Sequence, residues 1–203
     1  KPADSSGSKG VQVIFSKSQI KPAINNVKKN TKKKNFIIEE LIEGPQLSTE
    51  SILVKKKIFT PGIVYRDYSD IKYFLPQILE NGATAPSKYK RYQSEIEKVK
   101  KKIGIELKFH SGIIKGDFVI KNNKLLIIEF TTRLSGGDFS ESLAPLSNGV
   151  NYVKQAIKIA AKDHVKISEL KSKFSKTVVN RYFFLPKGKL LKISGLDKLK
   201  KIK

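Results

Sequence analysis

Two carboxylates twelve positions apart, Asp117 and Glu129, sit in the stretch KGDFVIKNNKLLIIEFTTRLSGG (115–137), with Thr131 and Arg133 just beyond them. Runs rich in β-branched and apolar residues, 117–120 and 125–131, flank the break Lys121-Asn122-Asn123-Lys124 and read as a β-hairpin. Strand side chains alternate faces, so Glu129, Thr131 and Arg133 share one face if the strand runs on to Arg133. A three-residue loop (Asn122, Asn123, Lys124) sets Asp117 opposite Glu129, with Cβ atoms roughly 4.5–5.5 Å apart. A two-residue Asn-Asn loop sends the two acids to opposite faces. The odd-length loop is the expectation. Two acids that close repel unless a cation lies between them. Hard oxygens beside an Arg and a Gly-Gly turn suit Mg²⁺ held against phosphate oxygens. The competing reading leaves both acids solvated on an exposed sheet face. Glu129 weighs against it, because it interrupts the apolar run LLIIEF, where an unpaired charge is costly.

The chain begins KPADSSGSKGV, a Gly/Ser loop before the strand-like run 11–15. Its backbone N–H groups can fold around phosphate oxygens, with Lys1 and Lys9 adding charge, although it lacks P-loop and dinucleotide-fingerprint spacing. A helix is expected over 16–31, capped by Ser16 or Ser18, with Pro22 in its first turn. Then come a strand at 36–38, a linker through Glu39, Glu40, Leu41 and Ile42 to Gly44-Pro45, a strand at 49–54, and a strand at 58–65 broken at Pro61-Gly62. Residues 67–87 read as a loop with a short helix near 71–79. Tyr89, Tyr92, Ile96, Val99 and Ile103 recur at helical spacing, and Gly104 is the expected C-cap; these aromatics read as core. His110, with no second ligand nearby, reads as structural. After the hairpin, 133–149 reads as a polar Gly-rich loop. A helix over 149–162 follows, with Val150, Val153, Ile157 and Ala160 inward and Ser147 or Asn148 as cap. A closing hairpin (177–185, 190–194) and a short basic helix or tail (196–203) complete the chain.

The 203 residues suffice for one large or two small domains with a real core. Cys is absent, which excludes a disulfide framework and a thiolate zinc site. Met is absent too, so the chain reads as a piece of a longer protein. No apolar run reaches bilayer length and no signal-peptide pattern appears, so no membrane association is expected and the expected compartment is the cytoplasm. The net charge of +23 invites a nucleic-acid or anionic-membrane reading. Yet only Arg66, Arg91, Arg133 and Arg181 among the 41 basic residues are Arg, and the lysines spread over the whole length. Base reading and phosphate clamping favour the planar guanidinium, so no nucleic-acid partner is expected.

Taken in order, KPADSSGSKGV, IIEELIEGPQLS, GDFVIKNNKLLIIEFTTRLSGG and VVNRYFFLPKGKLLKISG resemble the ATP-grasp superfamily. The likeness is to its carboxylate–amine ligases and its carbamoyl-phosphate-synthase-like proteins. The resemblance implies an α+β ATP-grasp fold with antiparallel sheets and flanking helices, lacking the N-terminal pre-ATP-grasp domain. It implies part of the small nucleotide-closing subdomain at 1–54 and the catalytic subdomain at 55–203. It places Lys1 on the nucleotide phosphates, and Ser5, Ser6, Gly7, Ser8 and Gly10 in a loop closing over them. Glu39, the backbone of Glu40 and the amide of Ile42 meet the adenine, and Gln46 stands near the ribose. Asp117 and Glu129 hold Mg²⁺ (or Mn²⁺), and Arg133 faces the transferring phosphoryl group. Thr131 stands where the family usually has Asn, and its oxygen can still coordinate.

The implied activity is ATP-dependent activation of a carboxylate as an acyl phosphate, followed by attack of an amine or similar nucleophile. ATP, a small carboxylate and an amine are the implied partners, and the missing N-terminal region is a site through which a homo-oligomer could form. Two alternatives belong to other classes: a basic nucleic-acid-binding module, and a non-catalytic relic of the ligase fold acting as a scaffold.

Overall fold

The computed structural model of the chain describes residues 1–33, 35–199 and 201. Six strands are joined in one antiparallel sheet: β1 (Gln46–Val54), β2 (Lys57–Asp67), β3 (Gly82–Ala85), β4 (Gly112–Lys121), β5 (Lys124–Thr131) and β6 (Val178–Arg181). Their spatial order is β5-β4-β1-β2-β3-β6. The helices are α1 (Ile20–Lys29), α2 (Gln93–Glu106), α3 (Ala144–Asn148), α4 (Tyr152–Ala160) and α5 (Leu196–Leu199). None of the described helices is long and apolar enough to cross a membrane.

The side-chain alternation of the central strands divides the core in two. On one face Leu47, Ile63, Phe118 and Ile120 pack against Tyr92 and Ile96 of the α2 region. On the other, Ile52, Val64 and Ile113 pack against Leu143, Val150 and Tyr152, below α3 and α4. Each fully buried side chain of this size contributes about 1.5–3 kcal/mol relative to an exposed one. β1 and β4, neighbouring interior strands of the sheet, are buried along nearly their whole length. They are therefore the rigid base on which polar side chains can be aimed.

Several local expectations give way to tertiary context. β2 runs unbroken through Pro61-Gly62, because a register shift opposite Glu50 and Ile52 accommodates a proline that cannot donate to the ladder. Gly104 lies inside α2, whose C-cap is Leu107. Its missing side chain lets helix and sheet approach closely, since a Cβ there would lie 3.0 Å from Leu53 Cδ2 and 3.3 Å from the Phe109 carbonyl oxygen.

The stretches 11–15 and 36–38 hold only isolated bridges, Gln12 with Gln77 and Phe36 with Pro2, rather than strands. β3 occupies part of what reads as a loop. The Gly-rich segment after β5 is half helical, with a π-helical turn at Phe139–Leu143 followed by α3. α4 is capped by Asn151, whose Oδ1 accepts from the Lys154 N–H at 2.8 Å. Its inward positions are Tyr152 and Gln155, whereas Ile157 is 63% exposed. β6 is a single strand, and the described residues after it form no hairpin. The expectation of a basic tail over 196–203 lies partly outside the described residues; α5 ends at Leu199.

Candidate active site

The β4–β5 hairpin brings its two acids together by a route other than the expected one. Lys121 pairs with Lys124, so the loop holds two residues, Asn122 and Asn123. Both are left-handed (φ 51° and 58°), a conformation that suits the right-handed strand twist and that Asn tolerates. Unbroken pairing from that turn would place Asp117 opposite Ile128 and Glu129 on the far face. A β-bulge at Ile128 absorbs the odd residue: Phe118 pairs with Ile127, and Asp117 then pairs with Glu129. Lys115 and Thr131 face each other two residues further on, on the same side of the sheet. Such bulges re-aim side chains beside functional sites.

A chain of alternating charges runs through this pair. Asp117 is 4% exposed and accepts from Ser48 Oγ at 2.7 Å and from Arg66 Nη1 at 3.1 Å, with Lys115 Nζ also in contact. Lys115 Nζ reaches Glu129 Oε1 at 3.3 Å as well, and the Glu129 side chain is 56% exposed. Arg66 donates through Nε and Nη2 to Glu80 Oε2, at 2.9 and 2.6 Å. The Tyr68 ring lies 5.2 Å from its guanidinium. Burial opposes the Arg66 charge, but the neighbouring acids Asp117 and Glu80 outweigh it and hold its pKa above the ordinary arginine value. Burial pushes the Tyr68 hydroxyl up, so it stays a neutral donor. Three acids (Glu80, Asp117, Glu129) against two bases (Arg66, Lys115) leave one net negative charge.

Ser48, Arg66, Glu80 and Lys115 were not singled out in the sequence. Lys115 carried a local signal, lying two positions before Asp117 and so on the same strand face. Arg66 and Glu80 had none, because their partners are distant along the chain.

The opening segment forms a second cluster. Lys1 and Phe36-Ile37 lie side by side: the Ile37 N–H donates to the Lys1 carbonyl at 2.8 Å, and Lys1 Nζ pairs with Glu39 Oε2 at 2.5 Å. In the Ser5–Gly10 stretch, Ser5 Oγ donates to the Lys9 carbonyl at 3.1 Å and the Val11 N–H to that of Ser8 at 3.1 Å. Ser6 accepts from the Lys9 N–H, and Gly7, Ser8 and Gly10 all have positive φ. A Cβ on Gly10 would stand 2.8 Å from both Asn30 Cβ and Pro2 Cγ, so only glycine fits there.

Glu40 reaches Lys121 at 2.8 Å, tying the linker to the base of the hairpin turn. Ile42 is half-buried in that linker, and Gln46 opens β1 between Arg66 and Val119. Thus Gln46, Asp117, Glu129 and Thr131 lie on neighbouring strands, while Lys1 and Glu39 meet each other elsewhere. Among the described residues no hydrogen bond or ion pair joins residues 1–10 to 115–133. Arg133 is exposed, with Nη1 on the Leu134 carbonyl at 2.7 Å, and among the described residues it forms no hydrogen bond or ion pair with either acid.

Glu50 anchors the segment that follows Arg133. It is fully buried, and its Oε1 accepts from Ser140 Oγ at 2.6 Å and from the Ser135 N–H, while Oε2 has no partner among the described residues. Burial pushes its pKa above the ordinary 4.5, outweighing the Ser140 and Ser135 hydrogen bonds. A raised folded-state pKa means that its contribution to stability is full below about 4.5 and is lost as pH rises through the folded value. Glu50→Gln removes that titration. The Tm advantage of wild type over the variant should therefore be greatest below pH 4.5 and shrink as pH rises, read from melting curves across pH. A difference independent of pH would contradict the assignment.

The donor set suits a hard cation that completes its shell elsewhere. Among the described residues no group of three or more His, Cys, Asp or Glu is arranged to hold a metal. Two facing carboxylates with a surplus negative charge match an ion such as Mg²⁺, which keeps waters and takes phosphate oxygens beside one or two carboxylates. An ammonium already between the acids shows that the space is one a cation fills.

The chain belongs to the ATP-grasp family, whose domain it matches over residues 1–142. It is similar in structure to the L-amino acid ligase from Bacillus licheniformis, at 20% identity and a TM-score of 0.74, over 99% of this chain and 48% of that one. It is also similar to the biotin carboxylase domain of the Hydrogenobacter thermophilus 2-oxoglutarate carboxylase, at 17% identity and a TM-score of 0.67, over 85% and 38% of the two chains. That structure contains MgADP, ADP and bicarbonate. A third similar structure is the phosphoribosylglycinamide synthetase from Anaerococcus prevotii, at 23% identity and a TM-score of 0.58, over 82% and 42%. The chain thus spans about half or less of the length of each. No curated protein matches it.

Proposed function

We propose that the chain is the nucleotide- and metal-binding part of a ligase that uses Mg-ATP to activate a small carboxylate and join it to an amine or similar nucleophile. The observation that carries this reading is Asp117 facing Glu129 across a bulged hairpin, in a chain of the ATP-grasp family. Asp117, Glu129 and Thr131 would hold Mg²⁺ or Mn²⁺, which when bound neutralises phosphate charge. Lys1 and the loop of Ser5, Ser6, Gly7, Ser8 and Gly10 would close over the nucleotide phosphates. Glu39, Glu40 and Ile42 would line the adenine, Gln46 the ribose, and Arg133 the transferring phosphoryl group. That last role requires Arg133 to leave the Leu134 carbonyl.

The substrate carboxylate attacks the γ-phosphorus of ATP, the bond to ADP breaks, and the amine then displaces phosphate from the acyl phosphate. The protein's own contribution is positioning and charge neutralisation. Arg66 and Ser48 hold Asp117 in one orientation, and Glu50 pins the segment after Arg133. The proposed subdomains are 1–54 and 55–203.

Lys115 between the acids and Arg133 bonded to the Leu134 carbonyl are the two features that favour the scaffold reading instead. Thermal unfolding of the intact protein with Mg-ATP separates the two. A ligand at 100 times its Kd stabilises by about 2.7 kcal/mol, a rise of several degrees. No rise in Tm with Mg-ATP would overturn the ligase reading. Given a rise, phosphate release against a panel of amino acids and small acids identifies the acceptor.

A further inference from the structure

Lys115 is the feature that the proposed reaction does not use. Its side chain is 10% exposed, its Nζ touches Asp117 Oδ2 and lies 3.3 Å from Glu129 Oε1, and it stands across from Thr131. It therefore touches two of the three oxygen-bearing groups assigned to the metal and faces the third. We propose that Lys115 is a built-in competitor for the divalent cation: it holds the acid pair together when no metal is bound and must be expelled before a metal can enter. This rests on the metal reading above.

The physical argument is one of exclusive occupancy. Without a cation the two facing carboxylates repel, and the ammonium removes that cost. A divalent ion entering the same space meets a positive charge at contact distance, so it binds only as the ammonium leaves. The flexible four-carbon stem of lysine allows this, and a rigid guanidinium would not exchange as readily. Arg66 is fixed from the other side by Glu80 and stays in place. The expelled ammonium is then free to meet an anionic group brought in with the metal. Metal affinity is consequently weak until a nucleotide supplies both phosphate ligands for the ion and a partner for Lys115.

The test uses the intact protein and Mn²⁺ alone, with free Mn²⁺ read by electron paramagnetic resonance. Lys115→Met removes the charge and keeps most of the stem, and it should bind Mn²⁺ at least about tenfold more tightly than wild type, in line with the effect of one contacting charge on an ionic equilibrium. Equal or weaker binding would overturn the proposal. Glu129→Gln separates the two levels of the argument. If Mn²⁺ binding is indifferent to Glu129→Gln, the metal site itself is wrong and Lys115 has no role there. If binding needs Glu129 but ignores Lys115→Met, only the competitor is wrong.

Should Lys115→Met fail to fold, wild type alone decides. Amine-reactive labelling mapped by mass spectrometry should modify Lys115 slowly in chelator and several-fold faster with saturating Mn²⁺. Labelling of Lys115 that is unchanged by Mn²⁺ would overturn the proposal.

Discussion

Glu129→Gln in the intact protein is expected to lower ATP-dependent ADP formation by at least about 10²–10³-fold, with a melting temperature close to wild type. The two halves of that result have separate causes. Glu129 is half exposed, and Lys115 is its one ion-pair partner among the described residues, at 3.3 Å. Pairs that open to water contribute little to folding. A neutral amide of the same shape therefore leaves β5 in place but gives up the charge that faces Asp117. Asp117→Asn would be a poorer test, because Asp117 is buried against Ser48, Arg66 and Lys115 and its loss disturbs the sheet as well as the chemistry. Wild-type turnover in Glu129→Gln would remove the acid pair from the mechanism.

Arg66→Leu should produce a large loss of stability. The guanidinium bridges Glu80 and Asp117 at 2.6 and 3.1 Å, and the three side chains are at most 20% exposed. Deleting it leaves two carboxylates without their shared counter-charge, a loss of about 3–5 kcal/mol. For a domain of this size that lowers Tm by roughly 6–20 °C. Adding Glu80→Leu should restore part of it, since one stranded charge then disappears, whereas Asp117 still keeps Ser48 and Lys115. A Tm for Arg66→Leu within about 2 °C of wild type would mean that the bridge is solvated and contributes little. Nucleotide-independent melting curves suffice for this comparison.

The hairpin and α2 were legible in the sequence, because each rests on local periodicity, whereas the facing of Asp117 and Glu129 was expected from a three-residue loop that the hairpin does not have. The way the acids come to face each other was not legible. In LLIIEF one more isoleucine reads the same whether it lies in a regular ladder or a bulge, so Ile128 gave no sign of its role. β3 is four small residues, GATA, with little propensity of their own, and it is a strand because β2 and β6 flank it. The runs 11–15 and 36–38 have strand-like composition, yet Phe15 and Ile38 are 64% and 73% exposed and neither run has a ladder partner among the described residues. On α4 the inward stripe follows Tyr152 and Gln155 instead of Val153 and Ile157, because Gln155 is taken inside by its bond to Glu169. Arg66 meets Asp117 from 51 positions away. Long-range partners of that kind follow from strand order, which local pattern does not specify.

The surplus isoleucine in β5 separates chain length from turn shape. Eleven residues lie between Asp117 and Glu129, and their number alone decides whether the acids share a side; where the odd one is stored does not matter. Removing Ile128 while adding one residue to the Asn-Asn tip should give a hairpin of equal length whose acids still meet. Removing Ile128 alone should swing Glu129 to the opposite side. The tip is therefore open to drift in size as long as the strand compensates, and parity, rather than any particular loop, is what selection at this site has to keep.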